Sequence, residues 1–261
     1  MTRQRFGRVA LSDGVQAYVR VQEDRLELLR TAPWFGVHEM GREVAIDQAT
    51  WLCPAQPTKI LCIGRNYRAH AKEMGADVPT APLLFLKPPS SLLAPQGTVL
   101  LPPESAQVEH EAELGVIIGR RARRISVDQA LDFVFGYVAV GDITARDLQR
   151  ADGQWSRAKG FDTFCPVGPE IVTGIDPCAL RVVGRVNGVV RQDGYTKDMI
   201  FNVAQLVSHL SQAMTLEPGD LVATGTPSGV GPLSDGDRFE VVIENIGTLA
   251  VSVRNEKTTA P

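Results

Sequence analysis

The chain has 261 residues, 44% hydrophobic and 22% charged, which is enough apolar material for a sizeable core in one large domain or in a small domain plus a larger one. Its formal net charge is -3, and the isolated basic run Arg120-Arg121-Ala122-Arg123-Arg124 reads as a solvated turn, so nothing points to a nucleic-acid surface. No apolar run approaches the roughly 20 residues of a membrane helix. Residues 1–6 lack the apolar stretch of a signal peptide. Cys53, Cys62, Cys165 and Cys178 form no CxxC pair, so free thiols in a reducing, cytoplasmic compartment are expected.

Residues 1–55 are expected to form a small β-rich domain. Residues 15–21 alternate with period two, and residues 25–29 follow the polar turn Gln22-Glu23-Asp24. Pro54 and Pro57 bracket a linker, and residues 56–261 make the larger unit. It opens with an apolar strand over 60–63, which leads through Gly64 into a short helix over 67–74 that Gly75 stops. A proline-rich stretch over 79–103 holds a strand at 83–86. Residues 108–119 read as one acidic strand ending in branched apolar residues, followed by a helix near 127–134 and a strand over 138–142. A polar loop covers about 144–160. Residues 180–190 read as a hairpin turning at Asn187-Gly188. Residues 201–214 carry helical periodicity through Val203, Leu206, Val207, Leu210 and Met214, and strands follow near 221–224, 239–243 and 249–253. Strands mixed with short helices, without strict βαβ alternation, give an α+β class.

The acidic strand carries the first chemistry. Alternation puts Glu109, Glu111 and Glu113 on one face. Carboxylates entering an apolar strand are costly to bury unless paired or bound to a cation, so that face is either an edge turned to water or a ligand set. Two glutamates two apart, joined by a third carboxylate, offer oxygen donors to a hard divalent cation such as Mg²⁺. Asp142, closing an apolar strand, either completes that set, leaving positions open for water and substrate, or is a turn residue. His70 and Glu73 share a helix face, as a surface pair or as a base and its orienting carboxylate. Lys159, between Ala158 and Gly160, is either exposed or shielded by Trp155 and Phe161 and placed to stabilise an oxyanion. The loop Thr224-Gly225-Thr226-Pro227-Ser228-Gly229-Val230-Gly231 is a tight turn or a carboxylate cradle, and it is no P-loop.

Taken in order, these motifs resemble the fumarylacetoacetate hydrolase family over about residues 59–253. They are Gly64-Arg65-Asn66-Tyr67 with His70 and Glu73, Leu84-Phe85-Leu86-Lys87-Pro88, Glu111-x-Glu113-Leu114, Asp142 with Arg146-Asp147-Leu148-Gln149, Ala158-Lys159, and Thr224-Gly225-Thr226-Pro227-x-Gly229-Val230-Gly231. The resemblance implies an α+β fold in which a mixed β-sheet rolls into a sandwich-like barrel with short helices. It also implies a small N-terminal domain, as some bacterial members carry, and a homodimer or higher homo-oligomer. It further implies that Glu111, Glu113 and Asp142 hold Mg²⁺ or Mn²⁺, with Ca²⁺ able to replace them in crystals. Lys159 would then lie near the substrate oxygen, Gln149 and Thr226 would contact the oxo-acid end, and Arg65 would contact substrate beside the catalytic loop. His70 and Glu73 would activate water from a lid, and Glu109 falls just outside the motif. The implied reaction is C–C hydrolysis of a small 2-oxo acid, an acylpyruvate- or fumarylpyruvate-type 2,4-dioxo acid, through a metal-stabilised enolate. The same wording also resembles oxaloacetate decarboxylases and isomerases of 5-carboxymethyl-2-hydroxymuconate or 2-hydroxyhepta-2,4-diene-1,7-dioate in aromatic catabolism. A non-catalytic binding protein on this fold is disfavoured by the presence of Lys159 and all three acids.

Overall fold

The structure, a computed structural model, describes residues 2–257. Its hub is the strand Ala112–Ile118, buried along its whole length, which pairs antiparallel with Val134–Gly141 on one side and with Leu221–Ala223 on the other. A strand covered on both faces must be apolar throughout, and this one is, apart from Glu113 at its start. Around it runs a mixed eleven-stranded sheet. From one edge its order is Glu39–Ala45, Arg25–Leu29, Gln16–Gln22, Gln4–Leu11, Ile171–Thr173, Val134–Gly141, the hub, Leu221–Ala223, Ile60–Gly64 and Leu83–Lys87, with Ala49–Trp51 paired to Gln4–Leu11. Leu221–Ala223 runs parallel to Ile60–Gly64.

A second sheet of five strands is ordered Val189–Tyr195, Arg181–Val186, Arg238–Ile243, Gly247–Asn255 and Thr98–Leu101. Alternation sorts the hub's side chains between two cores. Leu114, Val116 and Ile118 join Val182, Phe239, Val241 and Val251 of the second sheet, with Leu206, Val207 and Leu210 of the helix Val203–Ala213. Ile117 turns the other way and joins Cys62, Val138, Val140, Cys165 and Leu221. The expected sandwich-like packing is therefore present, but the strand path of the large sheet is open at both ends, so no closed barrel forms.

The sequence-derived elements hold with instructive exceptions. The hairpin turns at Asn187-Gly188, both with positive φ (53° and 78°), as a two-residue turn between right-twisted strands requires. The helix Val203–Ala213 starts with a reciprocal cap between Asn202 and Gln205. The acidic run, by contrast, is two strands. Val108–His110 belongs to a three-stranded sheet with Thr144–Ala145 and Gly231–Pro232, the hub belongs to the large sheet, and Glu111 is the corner between them. The polar loop folds into two short helices, Arg146–Asp152 and Ser156–Gly160, too brief to show an apolar period. The helix expected near 127–134 is a 3₁₀-helix, Val127–Phe133. The N-terminal strands keep a core of their own (Val9, Val19, Leu26, Leu28) and continue the large sheet by pairing Gln4↔Thr173 through Phe6↔Ile171, next to an ion pair between Arg5 and Glu170.

Buried Asp220 fixes the chain where Thr58-Lys59 enters the strand Ile60–Gly64. Its Oδ1 accepts from Thr58 N (3.1 Å), Thr58 Oγ1 (2.7 Å) and Lys59 N (3.2 Å). Its Oδ2 accepts from Glu217 N (2.8 Å) and pairs with the Lys59 ammonium. Asp220→Ala orphans these donors and is expected to cost about 2–4 kcal/mol in urea unfolding at unchanged m-value. Thiol labelling checks the core assignment. Burial pushes the Cys53 thiol up to about 11, Cys165 up to about 12 and Cys62 well above the ordinary range. Cys178 is exposed, its thiol held up more modestly by its bond to Asp176. At pH 8 an alkylating reagent is expected to modify Cys178 in the folded protein and the other three only after denaturation.

Candidate active site

The corner at Glu111 gathers charge where the fold leaves little water. Glu111 and Glu113 follow one another across the corner, and Asp142 arrives from the neighbouring strand, its N–H donating to the Glu111 carbonyl at 2.9 Å. One carboxylate oxygen from each of the three lies within 4.8 Å of the others, and all three residues are buried. Lys159, on the helix Ser156–Gly160, donates to Glu111 Oε2 (2.9 Å) and Asp142 Oδ2 (2.7 Å). Lys87, at the end of Leu83–Lys87, donates to Asp142 Oδ1 (2.6 Å) and the Ile143 carbonyl (3.1 Å). Arg146, opening the helix Arg146–Asp152, donates to Glu111 Oε1 (2.6 Å), Glu109 Oε2 (2.7 Å) and Gln149 Oε1 (2.6 Å).

Pairing decides protonation here. Burial alone would push the Glu111 carboxyl up, but Lys159 and Arg146 outweigh it and hold the group well below the usual carboxylate range. Burial likewise disfavours the Lys159 ammonium, and Asp142 and Glu111 reverse that, so its pKa is raised. Glu113 differs. Its one side-chain hydrogen bond among the described residues comes from Gly225 N (2.8 Å), with no cationic partner, and burial, then Asp142 and Glu111, push its carboxyl well upward. Four buried carboxylates (Glu109, Glu111, Glu113, Asp142) thus face three buried cations (Lys87, Arg146, Lys159). An all-oxygen donor set short of positive charge at Glu113 fits a hard divalent cation held by Glu111, Glu113 and Asp142.

The opposite wall is the short helix Arg68–Glu73 and the glycine-rich loop. His70 is buried, with Nδ1 3.1 Å from Glu73 Oε2, and Glu73 Oε1 accepts from Gly229 N at 2.9 Å. When Nδ1–H donates to Glu73, Nε2 remains as a base. Buried Asn66 locks this wall: its amide donates to the Thr224 and Phe201 carbonyls (2.8 and 3.0 Å) and accepts from Phe201 N (2.9 Å). The loop passes so close that a Cβ on Gly225 (φ +98°) would lie 2.6 Å from Asn66 Cβ, and one on Gly229 (φ +101°) would lie 2.0 Å from the Arg191 carbonyl oxygen.

These elements enclose a cavity of about 500 Å³. Eight of the nine residues singled out in the sequence line it: Arg65, His70, Glu73, Glu111, Glu113, Gln149, Lys159 and Thr226. Asp142 sits behind Lys159. The Thr226 hydroxyl donates to the Ala112 carbonyl (2.8 Å) and accepts from Gln192 Nε2 (2.6 Å), so its proton is committed to the protein. Lys87, Arg146 and Gln192 were not singled out. Lys87 and Arg146 lie within the quoted motifs, and the excess of acid among those motifs was the available signal that they are buried partners. Gln192, which accepts from Ala112 N (2.9 Å) and donates to Thr226, sits on a polar hairpin strand with no such signal.

A family profile described as "Fumarylacetoacetate (FAA) hydrolase C-terminal" matches residues 59–254, and one described as "Rv2993c-like, N-terminal" matches residues 4–54. The oxaloacetate tautomerase YisK of Bacillus subtilis is 46% identical over 211 residues, 76% of this chain and 70% of that protein. The 2,4-didehydro-3-deoxy-L-rhamnonate hydrolase of a Sphingomonas species is 49% identical over 202 residues, 73% of this chain and 71% of that protein. The crystal structure of 5-carboxymethyl-2-hydroxymuconate delta-isomerase from Mycobacterium smegmatis superposes with a TM-score of 0.91 at 39% identity, over 97% of this chain and 100% of that one. With the profile spanning more than half of the chain and its motif residues converging on one cavity, this chain belongs to the fumarylacetoacetate hydrolase family.

Proposed function

We propose that this enzyme is a divalent-metal-dependent hydrolase that cleaves a C–C bond in acylpyruvate- or fumarylpyruvate-type 2,4-dioxo acids. The observation that carries this reading is the His70–Glu73 pair, turned into the same cavity as Glu111, Glu113 and Lys159. A cation held by Glu111, Glu113 and Asp142 would supply Lewis-acid stabilisation for the negative charge that grows on the 2-oxo oxygen. Lys159 adds a fixed positive charge at that end of the cavity. Gln149 has its carbonyl oxygen occupied by Arg146, which leaves its amide N–H groups to donate to the substrate carboxylate. His70 Nε2 takes a proton from water, while Glu73 fixes the orientation of the ring. The resulting hydroxyl adds to the 4-oxo carbon. The C3–C4 bond then breaks with its electron pair going to C3, and C3 receives a proton, leaving pyruvate and a second carboxylic acid.

A second reading uses the same electron sink without an attacking water: oxaloacetate decarboxylation or tautomerisation, or isomerisation of muconate-type dienes. The relatives named as a tautomerase and an isomerase favour it. Retention of both members of the water-activating pair favours the hydrolase.

Pyruvate release separates the readings. With Mg²⁺, acetylpyruvate is expected to be cleaved, EDTA to stop the reaction, and His70→Ala to lower kcat by about 10²–10⁴-fold. Release from oxaloacetate alone would make the enzyme a decarboxylase, and release from neither would point to the dienes. The unpaired carboxylate offers a test of the ligand set. Glu113→Gln removes a carboxyl that ionises freely in the unfolded chain but that burial, Asp142 and Glu111 hold in its neutral form in the fold, so at neutral pH the metal-free protein is expected to melt about 2–4 °C higher, the response to about 1 kcal/mol. The further rise that Mg²⁺ gives the parent should be lost, as read by thermal denaturation with and without the ion.

A further inference from the structure

The cations around the cavity fall into two sets. Lys87, Lys159 and Arg146 are buried and bonded to carboxylates at 2.6–2.9 Å. Arg65 and Arg150 line the same cavity with no carboxylate partner among the described residues; Arg150 donates only to the neutral Gln107 Oε1, at 2.6 Å. Arg65 is nevertheless held in place. Its backbone has φ 57°, and its guanidinium carbon lies 5.8 Å from the centroid of the Trp155 ring. That ring rests on Gly64, where a Cβ would lie 2.6 Å from Trp155 Cζ3, and meets Phe85 edge-on at 5.2 Å. Phe85 in turn lies 5.1 Å from Lys159 Nζ. An aromatic strut thus joins Lys159, at the carboxylate cluster, to Arg65, two rings away on the lining of the same cavity. Arg150 lies one helical turn after Arg146, so Arg146, Gln149 and Arg150 share one helix face toward the cavity. A guanidinium stacked on an aromatic ring loses little freedom when it binds, and its planar fork matches a carboxylate.

We infer that Arg65, held by Trp155, and Arg150 form the seat for a second carboxylate on the substrate, which makes them the residues that select 2-oxo acids with an anionic distal end over those with an alkyl or neutral one. This rests on the proposed reading that the oxo-acid end docks at Lys159 and Gln149. The seat narrows that reading toward the fumarylpyruvate type.

Calorimetric binding of 2-oxoheptanedioate and 2-oxoheptanoate in the presence of Mg²⁺ tests the seat. The two ligands have the same chain length, differ only in the distal group, and lack the 4-oxo carbon needed for cleavage. The dicarboxylate is expected to bind at least about tenfold tighter, as a charge-assisted pair should give. The affinity ratio should fall as salt is raised and approach one in Arg65→Met/Arg150→Met, with Arg65→Lys in between. Equal affinities in the parent, or a ratio that survives in the double variant with its melting temperature unchanged, would overturn the inference. A failed hydrolase reading would show separately, as no pyruvate from fumarylpyruvate while the binding preference stands.

Discussion

The constraint on which the rest depends is the cost of burying charge at the corner between two sheets. A carboxylate removed from water without a partner is expensive enough to be neutralised or expelled. This chain buries four at one corner, three from residues 109–113 and one from Asp142, and answers them with Lys87, Arg146 and Lys159, delivered by a strand end and two short helices. Each cation touches a backbone carbonyl or more than one acceptor, so the cluster is a geometry as much as a charge balance. Glu113, left over, is the place where the folded chain alone does not balance, and that imbalance is what suits the corner to a cation.

The corner is assembled from distant pieces of chain. Gln192 belongs to the second sheet, yet it holds both Ala112, the first residue of the hub, and Thr226 and Pro227 of the glycine-rich loop. Asn66 ties the turn before the His70 helix to that loop from the other side. The loop's glycines follow from this crowding, because Gly225 and Gly229 pass too near Asn66 and Arg191 for any side chain. Glu73 then joins His70 to Gly229, which ties the short helix to the loop.

Much of the site was legible in the sequence because its logic is local. Two acids two apart, a His and Glu three apart, and an Asp at the end of an apolar strand are each placed by alternation and helical spacing with two readings open, and their order along the chain, as the family resemblance, joins them. The hairpin at Asn187-Gly188 and the helix capped by Asn202 and Gln205 were legible for the same reason. What was not legible is relational. The switch of sheets at Glu111 interrupts no hydrophobic pattern, so 108–119 reads as one strand. The helices at 146–152 and 156–160 are stabilised by what Arg146 and Lys159 bind rather than by a buried stripe, and their sequence looks like a solvated loop. Lys87 resembles any exposed lysine until Asp142, 55 positions away, comes within 2.6 Å.

The seam at Gln4–Leu11 has a consequence for how the molecule behaves among its own kind. Where it pairs, Ile171–Thr173 offers an apolar, fully buried three-residue strand. Taken off, the N-terminal strands would leave that backbone as a bare edge, and bare apolar edges recruit a second chain. With them in place the sheet instead ends at Glu39–Ala45, which shows solvent Glu39, Arg42 and Glu43. The N-terminal strands thus replace an apolar edge with a border of charged side chains, Glu39, Arg42 and Glu43, each held in an ion pair.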